Sequence, residues 1–198
     1  MGEGNIKSAR EIVQEKLSGL GEASQDDKLR WKYVPEGRKL GVRYLDERNI
    51  DLSAEMAKFP PEAIKYVNRG VEEVMLEGIN LPSGEFARQR VDKAASALKL
   101  LKRDETAVDR IMAKIKYVLD HYATSGSEQK KQIYEGLKNE FRRQLKQSLS
   151  EANIKSDIDL DVESLPQFQE ELRRAQARID SEYSKLLNSY KEELKKIS

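Results

Sequence analysis

His121 is the only histidine of the chain, and it stands between Asp120 and Tyr122. A histidine oriented by a carboxylate is a recurrent general base. Adjacent residues on a helix do not face each other, however, so Asp120 is badly placed to orient the ring. Position 121 also falls off the apolar stripe of its helix, near the expected C-terminal end, where the helix dipole favours an imidazolium. The expectation is a surface histidine rather than a catalytic one. A single histidine also excludes the paired Glu-x-x-His pattern of di-iron bundles and a three-histidine zinc site. The chain has no cysteine, which removes thiolate ligands, thiol nucleophiles and disulfides and suits a reducing compartment.

The next chemistry-bearing run is Asp157, Asp159, Asp161 and Glu163, with carboxylates at alternate positions. A calcium loop of the EF-hand type would need glycine at its sixth position and glutamate at its twelfth. Val162 and Phe168 stand there instead. Ile158, Leu160 and Val162 alternate with the acids, which predicts an extended connector with one packed face and one wet face. There is no Gly-Lys-Ser/Thr phosphate loop and no Gly-x-Ser-x-Gly nucleophile elbow. No cofactor or metal is expected, and catalysis is the less favoured reading.

Basic and aromatic residues interleave in one place, at Arg30, Trp31, Lys32 and Tyr33, with Arg38, Lys39 and Arg43 close behind. Such an arm could stack bases and neutralise phosphates. The chain as a whole carries a net charge of +1, so no global field draws it to nucleic acid. Nucleic-acid association through residues 30–43 is therefore an alternative, not the leading expectation. A carboxylate-dependent enzyme is a further alternative.

These groups must be positioned by a chain in which 36% of residues are charged and 38% hydrophobic. An average domain is about 25% charged and ~45–50% apolar, so each element here can bury only a stripe. No run is long and apolar enough for a membrane span, and the N-terminus does not read as a secretory signal. A cytoplasmic protein without membrane partners is expected.

The spacing predicts a mainly α fold: an antiparallel or elongated bundle of about five helices. Residues 1–50 are expected to form an N-terminal helix plus a hairpin or flexible arm, and residues 51–198 the helical bundle. Ile6, Ile12, Val13, Leu17 and Leu20 suit a helix over 5–20, ended by Gly19 and Gly21. Trp31 and Tyr33, then Leu40, Val42 and Tyr44, alternate on either side of Pro35 and Gly37. That pattern predicts a small β-hairpin over 30–45. Helices are then expected near 53–59, 61–78, 85–102, 105–124 and 127–150. Ser83, Asp104 and Ser127 are expected as N-caps, and Ser125-Gly126-Ser127 as a break. Gly70 inside a helix costs about 1 kcal/mol relative to alanine, which points to close packing there.

The last element, from Leu165-Pro166 onward, reads as one long helix. Ala175, Ile179, Tyr183, Leu186, Tyr190, Leu194 and Ile197 repeat at intervals of four, four and three. A narrow stripe needs a partner helix, and this period gives a straight or slightly right-handed path rather than a leucine zipper. The leading expectation is a non-catalytic scaffold or interaction protein. It would form a homo-oligomer through a coiled-coil-like surface at Tyr183, Leu186, Tyr190 and Leu194.

Overall fold

The computed structural model describes residues 24–47, 49–81, 86–152 and 161–197. The expected helix over 5–20, the Ser83 cap and most of the acidic connector lie outside these residues. The described residues form seven α-helices and no strand, so the protein is mainly α. Contacts divide the chain into two units, residues 1–74 and 75–198.

In the first unit, α1 (Gln25–Asp46) packs on the single turn α2 (Leu52–Met56) and on a 3-10 turn, Pro61–Ala63, that leads into α3 (Ile64–Gly78), the helix within which the division between the units falls. The ends are capped as their sequences dictate. Ser24 Oγ accepts from the Asp27 amide at 3.1 Å, and Asp51 Oδ1 from the Ala54 amide at 3.0 Å.

The expected hairpin is instead one continuous helix with Pro35 inside it. Proline in a helix interior removes a hydrogen bond and costs roughly 3 kcal/mol, so tertiary packing must outweigh it. Helical periodicity lines up Gly37, Leu40, Gly41 and Leu45 on one buried face, which a two-residue period would have split. Gly37 of α1 meets Gly70 of α3 backbone to backbone, so the close packing expected at Gly70 is present. Tyr33 meets Phe59 edge-on at 6.4 Å between centroids, and Arg38 reaches Glu73 at 3.0 Å. Asp26 accepts from both the Tyr66 hydroxyl and the Lys65 ammonium.

In the second unit, α4 (Ala87–Leu101) packs on α5 (Glu105–His121), whose N-cap is Asp104 as expected, with Oδ1 accepting from the Ala107 amide at 2.9 Å. The chain does not break after α5. It continues through a π turn, Tyr122–Gly126, directly into α6 (Ser127–Glu151). His121 is therefore not at a helix end, and Ser127 is not an N-cap. Gly126 keeps right-handed helical angles, φ −63° and ψ −41°. A Cβ there would lie 3.1 Å from the Tyr122 ring and 3.5 Å from the Tyr183 ring. Glycine at this point leaves room for the Tyr122 ring and does not stop the helix.

The final helix, α7 (Pro166–Lys196), starts with proline in its first turn and packs on both α5 and α6. Its direction follows from its partners. Lys102 donates to the Ile197 carbonyl, Lys114 pairs with Glu193, Tyr122 donates to Asp180, and Lys138 pairs with Glu163. Numbers rise on one side as they fall on the other, so α7 runs antiparallel to the α5–α6 helix. Val91, Leu98, Val108, Ile115, Leu187 and Leu194 are among the buried core residues of the second unit. Along α6 no side chain is buried: Tyr134, Leu137, Phe141 and Leu145 are half-covered. Two helices packed alone bury only part of each stripe.

Candidate interaction surface

The antiparallel register sets Tyr183 of α7 opposite His121 of α5. The Tyr183 hydroxyl and His121 Nδ1 share a hydrogen bond of 2.7 Å. Tyr117 lies one turn before His121, so their rings neighbour each other at 6.0 Å, and the His121 and Tyr183 rings lie 5.8 Å apart. One more step along the same antiparallel pair, the Lys114 ammonium sits 5.3 Å from the Tyr190 ring centroid and pairs with Glu193 at 3.6 Å. Leu186 lies one turn from Tyr183 and one from Tyr190, on the flank of α7 that carries Glu193. The α5–α7 seam thus presents Tyr117, His121, Tyr183, Leu186 and Tyr190 as one outward strip. Tyr117 is 70% exposed and Leu186 42%.

Of the four residues expected to carry an interaction, three belong to this strip. Leu194 is fully buried in the core of the second unit. The neighbour of Leu186, Leu187, is also buried, and the stripe reading did not include it. Tyr117 was missed as well. It lies off its helix's apolar stripe, and its one signal is the four-residue spacing from His121.

Beneath the strip lies a polar knot. Lys130 Nζ donates to the Tyr122 hydroxyl at 2.8 Å, that hydroxyl donates to Asp180 Oδ1 at 2.7 Å, and Lys130 reaches the same oxygen at 2.6 Å. Burial works to lower the Lys130 ammonium, but the bonds to Asp180 and Tyr122 outweigh it and hold its pKa above the ordinary value. Burial works to raise the Asp180 carboxyl, and the same bonds hold it below the ordinary value. The Tyr122 ring stands edge-on to Tyr183 at 5.1 Å, so the knot fixes the floor on which the strip rests.

The basic aromatic residues fall differently. On a helix, Arg30, Trp31, Lys32 and Tyr33 point about 100° apart in succession and do not form one face. Arg38 pairs with Glu73, Lys39 with Glu36 and Arg43 with Glu47 and Glu55, while Lys32 covers the Tyr33 ring. Trp31 stands exposed.

A cleft of about 200 Å³ opens between α4 and α5, floored by Val91 and Leu119. Its charges are paired across it, Arg88 with Asp120 at 3.0 Å and Lys116 with Asp92 at 2.6 Å. Among the described residues no group of three or more histidine or acidic side chains could hold a metal ion. No helix among them is long and apolar enough to cross a membrane.

Among the described residues the fold is all-α, and its outward feature is an aromatic helix seam. The chain belongs to a family of unknown function, DUF6657, whose model matches residues 53–196. The matched region contains the whole strip, and α1 lies before it. No curated protein and no solved structure matches the chain.

Proposed function

We propose that this protein is a non-catalytic helical interaction module that self-associates through the α5–α7 seam. The observation that carries the reading is the strip itself: Tyr117 and Leu186 exposed on either side of the half-buried Tyr183 and Tyr190. Large side chains held on packed helices lose little conformational freedom when they are covered, and aromatic residues are enriched among those that dominate binding. A strip that also carries both signs of charge, in Lys114 and Glu193, can meet a second copy of itself about a two-fold axis, each patch facing its twin. The half-covered stripe of α6 gives the same assembly a further coiled-coil-like edge to close. The setting taken is the cytoplasm, which a cysteine-free chain suits.

Light scattering over a concentration series tests the reading. The wild type should be an oligomer whose order falls with Leu186→Asp or Tyr117→Ala. Both residues are exposed, so far-UV circular dichroism should stay unchanged. A monomer in all three forms at every concentration removes the proposal.

A further inference from the structure

Three ion pairs cross from α4 to α5 at matching positions. Lys99 meets Asp109 at 2.8 Å, Lys116 meets Asp92 at 2.6 Å and Arg88 meets Asp120 at 3.0 Å. Residue numbers rise on α4 as they fall on α5, so the helices are antiparallel and the pairs are rungs of one ladder. Near the Lys99 rung Ala97 and Leu98 are buried. Around the other two rungs the helices stand apart and leave the cleft of about 200 Å³. Ala87 and Ala123 are too short to fill it, and Val91 and Leu119 make its floor apolar. The two rungs at the cleft lie one helical turn apart, about 6 Å along the axis. Their signs alternate: α4 offers Arg88 and then Asp92, while α5 opposes them with Asp120 and then Lys116.

We propose that the cleft is a binding site for a free α-amino acid with an apolar side chain. Two cations and two anions leave its rim with no net charge. A simple anion or a simple cation meets a like charge beside each opposite one, and that juxtaposition is unfavourable. A zwitterion answers both signs at once. Among the described residues Arg88 and Asp120 share one hydrogen bond, from Nη2 to Oδ1. That bond leaves a second guanidinium edge and a second carboxylate oxygen for a ligand. The guanidinium fork suits the ligand's carboxylate, and Asp120 Oδ2 suits its ammonium. The ligand's side chain then covers Val91 and Leu119, which a solvent-filled cleft leaves wet. The volume falls below the roughly 300–1,000 Å³ of pockets for drug-sized molecules, which fits a single amino acid and not a peptide. Arg88 and Asp120 are 80% and 63% exposed, so solvent weakens the polar contacts. A Kd on the order of 1 mM follows for so wet a rim.

A titration of the intact chain with L-leucine, read on the methyl resonances of Val91 and Leu119, tests the site. Those resonances should shift and saturate. Isocaproate lacks the amine and isoamylamine lacks the carboxylate, and each should bind about fivefold more weakly, the upper scale for one exposed charged contact. Glycine keeps both charges without a side chain and should not saturate. Arg88→Gln should weaken L-leucine to the level of isoamylamine, with the circular dichroism of the wild type. Lys99→Gln removes a rung of the same ladder outside the cleft and should leave the affinity unchanged. Absence of a saturable shift at ~10 mM L-leucine, well above that Kd, overturns the proposal. Equal or tighter binding of either single-charge analogue also overturns it, in favour of a simple ion or a non-specific apolar notch. Equal weakening by Arg88→Gln and Lys99→Gln would assign the effect to the hold of the ladder on the helices, and overturns it too.

Discussion

Gly37 and Gly70 stand where α1 and α3 cross with no room for a side chain on either. A Cβ on Gly37 would lie 2.2 Å from the Val67 carbonyl oxygen, and one on Gly70 would lie 2.2 Å from that of Val34. The obstacle in both cases is backbone, which cannot rotate away as a side-chain tip would.

Gly70→Ala should therefore destabilise the protein, although alanine is the better helix former by about 1 kcal/mol. Overpacking of this kind costs typically 1–3 kcal/mol, and a rigid carbonyl places this site at the upper end of that range. Denaturant unfolding should show a lower midpoint. An unchanged or raised midpoint would mean that the helices separate without cost.

Gly136 gives the opposite case. It lies mid-way along α6, and a Cβ added there would meet nothing within 4 Å. Gly136→Ala should raise stability by up to ~1 kcal/mol through helix propensity alone. A thermal melt of the two glycine variants side by side should move in opposite directions.

Leu186 and Leu187 are neighbours with different fates, 42% and 3% exposed. Leu187→Ala should cost about 2–5 kcal/mol, the range for emptying a core leucine site. Leu186→Ala should stay within about 0.5 kcal/mol in the monomer, as for an ordinary surface change. Chemical denaturation at low protein concentration separates the two. Comparable losses would contradict the register of α7.

The Lys130–Tyr122–Asp180 knot has a pH signature. Asp180 is held below its ordinary 3.8, so its share of stability is complete above that value and is lost as pH falls through the folded value. Lys130 is held above its ordinary 10.5, so its share is present below that value and is lost as pH rises through the folded one. Asp180→Asn should cost up to about 1 kcal/mol near neutrality, the scale of a partly exposed pair. The gap to wild type should narrow below pH 3.8. Tyr122→Phe should cost about 1 kcal/mol for the lost hydroxyl bonds. Melting temperatures across the acid range check both.

Most helices of the fold were legible because their stripes repeat. Val108, Ile111, Met112, Ile115 and Val118 are apolar in sequence and buried in structure. The failures have local causes. At 30–45, aromatic and basic residues alternate like a strand around Pro35 and Gly37, while Gly37 itself marks a helix approached closely by another. At 125–127, serine and glycine signal a stop, and only the folded partner shows that Tyr122 and Tyr183 fill the space beside Gly126. The strip was half legible. Tyr183 and Tyr190 follow from the stripe of α7. Leu187 was passed over for Leu186 because a step of one residue satisfies the spacing equally well. Tyr117 joins the strip only through contacts across helices, which no one-dimensional pattern contains.

The π turn at Tyr122–Gly126 works as an inserted residue, because a π turn spends one more residue than an α turn on nearly the same rise. Everything after it is rotated by about 100° relative to an unbroken α-helix. That rotation lets α5 face α4 and α7 together while Tyr134 and Phe141 of α6 swing round to meet Phe168. A deletion of one residue between Tyr122 and Gly126 would return the chain to α register. It would carry those two rings to the wrong side of α6. Within this long helix the count of residues matters more than their identity, and a one-residue change in length is a larger mutation than most substitutions.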